Sequence, residues 1–551
     1  MTTVMTIGGG TQALTEDAAE IGSKARGLAR MAACGVPVPP AFVMPVSLCA
    51  RVNARNRDAE RDLDDGLRAG IAFLEDASHR RFGDRRAPLL VSVRSGAARS
   101  MPGMMDSVLD VGATSAATAG LVRMTGDPRF AWDCRRRFIE SFATVVLGRD
   151  RLVFDAARAQ VAAAEKVAAA EKATGEDGLD GEALERLCAA YQEAAADDDG
   201  WLEDPMRQLG AAARAVYRSF ASERAETYRR LHGLTSLAGT AVTVQTMVFG
   251  NRGPSSGAGV AFSRDPSTGD PHPVVEALFD AQGEEVVSGR RTPQGEEALD
   301  RALPGAGTEL RDILVRLERE FQDVQDVEFT IETGRLWILQ TRPAKRSPQA
   351  ALRIAVGLVY DGVITPRQAV ARLEGLNPDA LARTRLERPG GPFVRGIGAA
   401  PGVAAGRVAF DPAAAARQVG AGDPVILVRP DTSTADVAGF AAAAGIVTVE
   451  GGRTAHAALV ARQMGKPCVV GCRGLVIDET ARTATTGGTR IAEGDWLSVD
   501  GGAGVVYAGR AAVVRERPVA ELAELERWRS SQAAPAASPR RPAPRTPVRH
   551  P

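Results

Sequence analysis

The sequence predicts an α/β protein of several domains, and three observations carry that reading. Its 551 residues correspond to about three or four domains at roughly 150 residues each. Hydrophobic residues make up 44% and charged residues 25%, a globular balance that excludes a disordered chain and supplies a buried core. Short apolar runs of strand character alternate with helical stretches, and the 58 glycines cluster at the breaks between them.

Residues 1–110 mix short apolar runs with Gly/Pro turns, and Leu89-Leu90-Val91-Ser92-Val93 reads as a buried strand. From about 111 to 235 the chain reads as mainly helical. Ala156 to Lys172 is an Ala-rich solvated helix on propensity grounds, and Trp201 to Leu231 carries apolar residues at helical spacing. The period then changes. Ala241 to Val248 is a strand, Gly250 to Gly259 a Gly/Ser loop, and Val260 to Phe262 a further strand. Asp326 to Glu332 and Leu336 to Gln340 form a hairpin around Thr333-Gly334-Arg335. Helical pattern returns from Arg346 to about Leu386, until Arg388-Pro389-Gly390-Gly391-Pro392 marks a boundary. Residues 393–511 form a compact α/β block rich in Gly, Ala and Val, and Val519 to Arg529 is a short helix. The Pro/Arg-rich end, Ala533 to Pro551, is expected to be a disordered tail.

The charge balance excludes some functions. Lys+Arg and Asp+Glu are both 68, so no overall basic field attracts nucleic acid or an anionic membrane. The longest apolar candidate, Val437 to Val449, is 13 residues, short of the ~20 of a spanning helix. Met1 to Gly10 shows no secretory signal pattern. The six scattered cysteines form no disulfide framework, so a reducing cytoplasm is the expectation. Cys468 and Cys472 lack a second pair or a His cluster, and read as buried small residues rather than a zinc site.

The sharpest chemical segment is Gly451-Gly452-Arg453-Thr454-Ala455-His456, followed by the helical run Ala457 to Met464 and stopped by Gly465 and Pro467. Ile446 to Val449 before it is a strand. His456 is thereby placed at a helix start, where free N–H groups and the positive end of the helix dipole suit a phosphoryl group. A neutral imidazole is nucleophilic and could accept that group covalently, with Thr454 hydrogen-bonding it. An isolated histidine in such a place is more often a structural cap. Elsewhere, Lys24 and Arg94 could meet phosphate oxygens. Asp326 and Glu328 alternate along a strand, so both point to one face, and Gln340 and Arg342 repeat the spacing. Two hard oxygen ligands on one face suit magnesium on phosphates. On residue chemistry alone, a solvated strand face for Asp326 and Glu328 and a surface ion pair for Arg94 are the more ordinary readings and the favoured ones.

The motifs taken together resemble the phosphoenolpyruvate-utilising enzymes, and within them the pyruvate, phosphate dikinase family. The segment around His456 is similar to that family's phosphohistidine motif. So are Ile21-Gly22-Ser23-Lys24-Ala25, Val91-Ser92-Val93-Arg94-Ser95-Gly96-Ala97, Ser100-Met101-Pro102-Gly103-Met104-Met105-Asp106, Gln245-Thr246-Met247-Val248-Phe249-Gly250, Asp265-Pro266-Ser267-Thr268-Gly269, Ala281-Gln282-Gly283-Glu284, Asp326-Val327-Glu328-Phe329-Thr330 and Leu339-Gln340-Thr341-Arg342 to its nucleotide-site segments. The resemblance runs from about residue 10 to about 510. It implies an ATP-grasp-like nucleotide-binding domain over 1–342 with a helical insertion at 111–235, a helical linker at 343–392, and a swivelling α/β phosphohistidine domain over 393–511, with 512–551 a short helix and tail. It implies nucleotide contacts from Lys24, Arg94, Glu276, Gln340 and Arg342, magnesium on Asp326 and Glu328, and a phosphate-facing Ser255 to Gly259 loop. Ala455 departs from the family, which usually has a small hydroxyl or thiol residue there.

The activity so implied is an ATP-dependent phosphorylation of His456 that consumes inorganic phosphate and releases AMP and pyrophosphate, with delivery to pyruvate to make phosphoenolpyruvate. A barrel for that last step needs about 250 residues, and residues 510–551 cannot hold it, so a separately encoded barrel partner is expected. Two other readings stay open: a dikinase acting on another small-molecule acceptor, and a non-catalytic nucleotide-responsive module. The related rifampin phosphotransferases insert a large drug-binding domain, for which 343–392 is too short.

Overall fold

The computed structural model describes residues 4–10, 17–99, 101, 105–168, 179–197, 199–231, 233–288, 291, 293–376, 381, 383–387, 391–430, 437–453, 455–516 and 518–533. It is a mixed α/β protein of two compact units. The first unit comprises Met1–Phe262, Val274–Glu320 and Gln325–Pro343; the second comprises Ser263–Pro273, Phe321–Val324 and Ala344–Pro551.

Two antiparallel sheets frame the first unit. One runs in the order β1 (Met5–Ile7), β2 (Ala41–Met44), β5 (Ala241–Thr246), β3 (Val91–Gly96), β4 (Ser107–Val111). The other runs β9 (Arg335–Pro343), β8 (Gln325–Glu332), β6 (Gly257–Phe262), β7 (Val274–Phe279). The sequence between β4 and β5 is largely helical, including α2 (Pro128–Val145), whose N-cap Asp127 accepts from the Phe130 amide. Phe130, Phe138 and Phe142 lie on one face of α2 and are fully buried, in a core shared with Phe42, Leu63, Val93, Tyr191 and Tyr217. The expected helix from Ala156 begins earlier and spans Arg151–Ala168; residues 169–172 lie outside the described residues.

Two expectations about local structure are corrected. The segment Gly257 to Gly259 belongs to strand β6, so the loop ends at Ser256. These glycines sit in a strand because neighbours crowd them. A methyl on Gly257 would lie 2.6 Å from the Leu278 carbonyl oxygen, and one on Gly259 would overlap the Phe329 ring. The helical pattern also stops before 386. After helices at Pro348–Tyr360 and Pro366–Arg372, residues Arg383–Glu387 form a strand paired with Ala512–Glu516.

In the second unit an eight-stranded sheet has the order β10 (Val394–Arg395), β17 (Val505–Ala508), β16 (Trp496–Asp500), β12 (Val403–Ala409), β13 (Val425–Arg429), β14 (Gly445–Thr448), β15 (Cys468–Val470), β11 (Ile397–Ala400). Strands β12 to β15 pair in parallel and the flanking strands antiparallel. Both faces of the centre are covered. Ile426 and Val428 join one apolar cluster, while Val425 and Leu427 join another that also takes in Ala457, Ala458 and Ala461. That period of two explains the uninterrupted apolar run of β13. Cys468 and Cys472 are buried free thiols, one in each cluster. No helix among the described residues is long and apolar enough to cross a membrane.

Candidate functional site

In the first unit, Lys24 is brought to a cleft by a break in its own helix. Within α1 (Ala18–Ala33), Gly22 adopts φ 78° and ψ 159°, outside helical values. A side chain there would collide with the Gly96 carbonyl at the end of β3, so only glycine permits the approach. The Ser23 amide and hydroxyl then donate to the Ala97 carbonyl at 2.9 and 3.0 Å, fixing Lys24 beside Arg94.

The opposite wall is the β8/β9 hairpin. Its register pairs Glu328 with Gln340 and Asp326 with Arg342, so the four side chains share a face. Arg342 donates from Nε to Asp326 Oδ2 at 2.8 Å, and its Nη2 lies 3.8 Å from Glu328 Oε1. Arg94 Nη2 reaches Glu328 Oε2 at 3.5 Å. Ser23, Lys24, Arg94, Arg99, Glu328, Gln340 and Arg342 line a cavity of about 170 Å³. Arg94 and Glu328 also line a neighbouring cavity of about 440 Å³, walled by Gln245 to Val248, Leu109, Asp110, Phe329, Leu339 and the Gln282-Gly283-Glu284 segment. The larger space falls within the size range of small-molecule sites.

The electrostatics suit a polyanion. Burial pushes the Lys24 ammonium from 10.5 down to about 8, and Arg94 and Arg342 add to the effect, against Glu328. Burial alone would raise the Glu328 carboxyl, but Arg94, Arg342 and Lys24 hold it below its ordinary value. Desolvation works against the Arg342 charge, yet Asp326 and Glu328 raise its pKa. Asp326 and Glu328 provide two hard carboxylates on one face, a donor set that fits magnesium carried on phosphates rather than caged by protein.

Glu276 stands apart. It is buried on β7, in register with Val260, which in turn pairs with Glu328. That places it two strands from Glu328 on the same sheet face, and it lines neither cavity.

In the second unit, β14 leads into Gly451, whose φ of 105° makes the turn, and His456 is the first residue of α4 (His456–Gln463). Thr454 lies outside the described residues. The N-cap is Ala455, whose side chain closes no cap hydrogen bond on the N–H groups of the first turn. Two guanidinium groups hold the preceding loop. Arg462, buried in α4, donates from Nη2 to the Ala399 and Arg453 carbonyls at 2.9 and 3.0 Å, and Arg453 pairs with Asp265 at 3.1 Å.

Sequence reasoning did not single out Asp110, Arg137 or Arg99. Asp110 and Arg137 are polar residues inside a strand and a helix; a bulge in β4 brings the first to the cleft and the packing of α2 the second.

Comparison with known proteins gives the family of the chain. Residues 59–301 and 305–357 match the family described as pyruvate phosphate dikinase, AMP/ATP-binding domain, and residues 421–504 match the PEP-utilising enzyme, mobile domain. A pyruvate, phosphate dikinase of Clostridium symbiosum is 42% identical over 495 residues, covering 89% of this chain and 56% of that protein. One from Rhizobium meliloti (strain 1021) is 39% identical over 546 residues, covering 95% and 60%. A chloroplastic one from Flaveria pringlei is 40% identical over 494 residues, covering 89% and 51%. The chain thus spans between half and three-fifths of the length of these relatives.

Proposed function

Since the chain belongs to the pyruvate phosphate dikinase family, we propose that it is the phosphohistidine-forming part of such a phosphotransferase, with an ATP-grasp-like first unit. Lys24, Arg94 and Arg342 bind and neutralise the triphosphate, and Gln340 hydrogen-bonds it. Asp326 and Glu328 would hold Mg2+, which when bound screens the charge on the phosphate oxygens. The neutral His456 imidazole attacks the β-phosphorus: its N–P bond forms as the α–β bridge breaks to leave AMP, and the β–γ bridge then breaks as the γ-phosphoryl passes to inorganic phosphate, releasing pyrophosphate and leaving the β-phosphoryl on His456.

The transfer requires His456 to reach the nucleotide and then leave it. Segments 343–392 and 510–518 are the proposed hinges of this swivelling phosphohistidine domain. The N-terminus of α4 suits a phosphorylated imidazole, and Thr454 is the proposed hydroxyl partner. Glu276 retains at most a nucleotide role through the sheet face it shares with Glu328. Onward transfer to pyruvate would use a phosphoenolpyruvate/pyruvate-binding barrel on a partner chain. The reaction class is a cytoplasmic one in this reading.

The observation that carries the proposal is the convergence of Lys24, Arg94, Arg342 and Glu328 on one cleft, with Asp326 paired to Arg342 beside it. It is tested by chromatography of a single turnover with ATP, magnesium and inorganic phosphate. One AMP and one pyrophosphate per chain are expected, the pyrophosphate dependent on phosphate. Release of ADP in their place overturns the reading.

A further inference from the structure

The residues above account for the phosphate end of the cleft and leave one buried carboxyl at the other end without a task. Between the pairs Val91↔Val111 and Val93↔Val108, strand β3 has one residue, Ser92, while β4 has two, Leu109 and Asp110. This is a β-bulge, and Asp110 takes the left-handed conformation with φ 54°. Bulges re-aim side chains, and here both bulged residues line the larger cavity. Asp110 is 1% exposed, and neither carboxyl oxygen has a hydrogen-bond partner among the described residues.

The cation that acts most strongly on Asp110, Arg137, is already committed. Arg137 of α2 binds Asp133 from Nε at 2.7 Å, Glu285 at 2.5 Å, and Glu284, the last two on α3 (Gly283–Ser288). The groups facing Asp110 are therefore Arg137, Asp133, Arg136 and Cys134 from α2 and Glu284 from α3. Burial outweighs them and pushes the Asp110 carboxyl up to about 8, with Glu284 and Asp133 adding to the rise against Arg137 and Arg136. A neutral carboxyl presents one O–H donor and one carbonyl acceptor side by side. An unsatisfied buried group of this kind is costly unless a ligand completes it.

We propose that Asp110 is a base-recognition residue, taking a hydrogen bond from the 6-amino group of the adenine of bound ATP. The inference rests on the nucleotide reading above. The cations that face phosphates line the small cavity, and Asp110 lines the large one beyond their shared residues Arg94 and Glu328. That larger cavity also offers Leu109, Met247, Val248, Phe329 and Leu339 as apolar surface for a flat base.

The test is a double-mutant cycle between protein and nucleotide, read by calorimetric titration with magnesium present. Asp110→Gly suits the left-handed backbone and removes the side chain without strain; Asp110→Asn keeps a donor and an acceptor. Asp110→Gly is expected to weaken ATP binding about tenfold, and Asp110→Asn by less than about threefold. With purine riboside triphosphate, which lacks the 6-amino group, wild type and Asp110→Gly should bind equally. In the absence of nucleotide, Asp110→Gly should melt no lower than wild type, as befits removal of an unpaired buried carboxyl. The inference is overturned if Asp110→Gly binds ATP as wild type does, if its loss persists with purine riboside triphosphate, or if the loss vanishes with 2′-deoxyATP instead, which makes the contact a ribose one. Wild type failing to bind ATP at all sinks the nucleotide reading itself, a result distinct from all of these.

Discussion

Replacing Lys24 by methionine should stabilise the nucleotide-free protein while ending its phosphoryl transfer. The reason is that the ammonium is buried among like charges, which lowers it from 10.5 to about 8, burial first and then Arg94 and Arg342. At about 1.36 kcal/mol per pH unit, holding that charge in the empty cleft costs on the order of 3 kcal/mol. Because the folded pKa is the lower one, the unfolded chain carries more protons between about 8 and 10.5. Wild-type stability therefore rises as pH climbs through that window, and the penalty is fully present below it. The variant should melt higher than wild type at pH 7, by about 2–6 °C, with the gap closing towards pH 10. Scanning calorimetry at the two pH values measures this, following the transition that ATP shifts, since a protein of two units need not melt in one step. A variant that melts at or below wild type at pH 7, or a gap that ignores pH, refutes the strained-cation account of the cleft.

Other expectations concern geometry. Gly22→Ala should destabilise the ATP-responsive transition by more than about 2 kcal/mol and weaken ATP binding, because the side chain meets the Gly96 carbonyl in a left-handed backbone; calorimetry and titration read both. Arg342→Lys keeps the charge but loses the planar fork that bonds Asp326 and reaches Glu328. Single-turnover AMP formation should slow about tenfold or more. Burial raises both the Cys468 and Cys472 thiols, the latter to about 12, so native protein should leave both unmodified by iodoacetamide until denatured.

Local signals made much of the first unit readable from sequence. The hairpin at Gln325–Glu332 and Arg335–Pro343 follows from its alternating pattern and the tight turn at Thr333-Gly334, and its register alone puts Asp326, Glu328, Gln340 and Arg342 on one face. The helix beginning at His456 follows from the glycines before it and Gly465 after it. What failed to show was set by distant packing. Arg383–Glu387 became a strand because Ala512–Glu516, far along the chain, pairs with it. Gly257 and Gly259 looked like loop residues, yet sit in a strand where Leu278 and Phe329 leave no room for a side chain. Asp110 gave no signal, because a one-residue bulge against Ser92 decides where it points, and alternation along β4 does not reveal that.

In the proposed reaction a phosphoryl group moves from the middle phosphorus of a nucleotide to one imidazole. ATP radiolabelled at the β-phosphorus, incubated with the protein, magnesium and inorganic phosphate, tests this most directly. The expected result is an acid-labile label on His456, absent when the γ-phosphorus carries the isotope and absent from His456→Asn, which should still bind ATP. Equal labelling of wild type and His456→Asn, or no label from the β position, contradicts it.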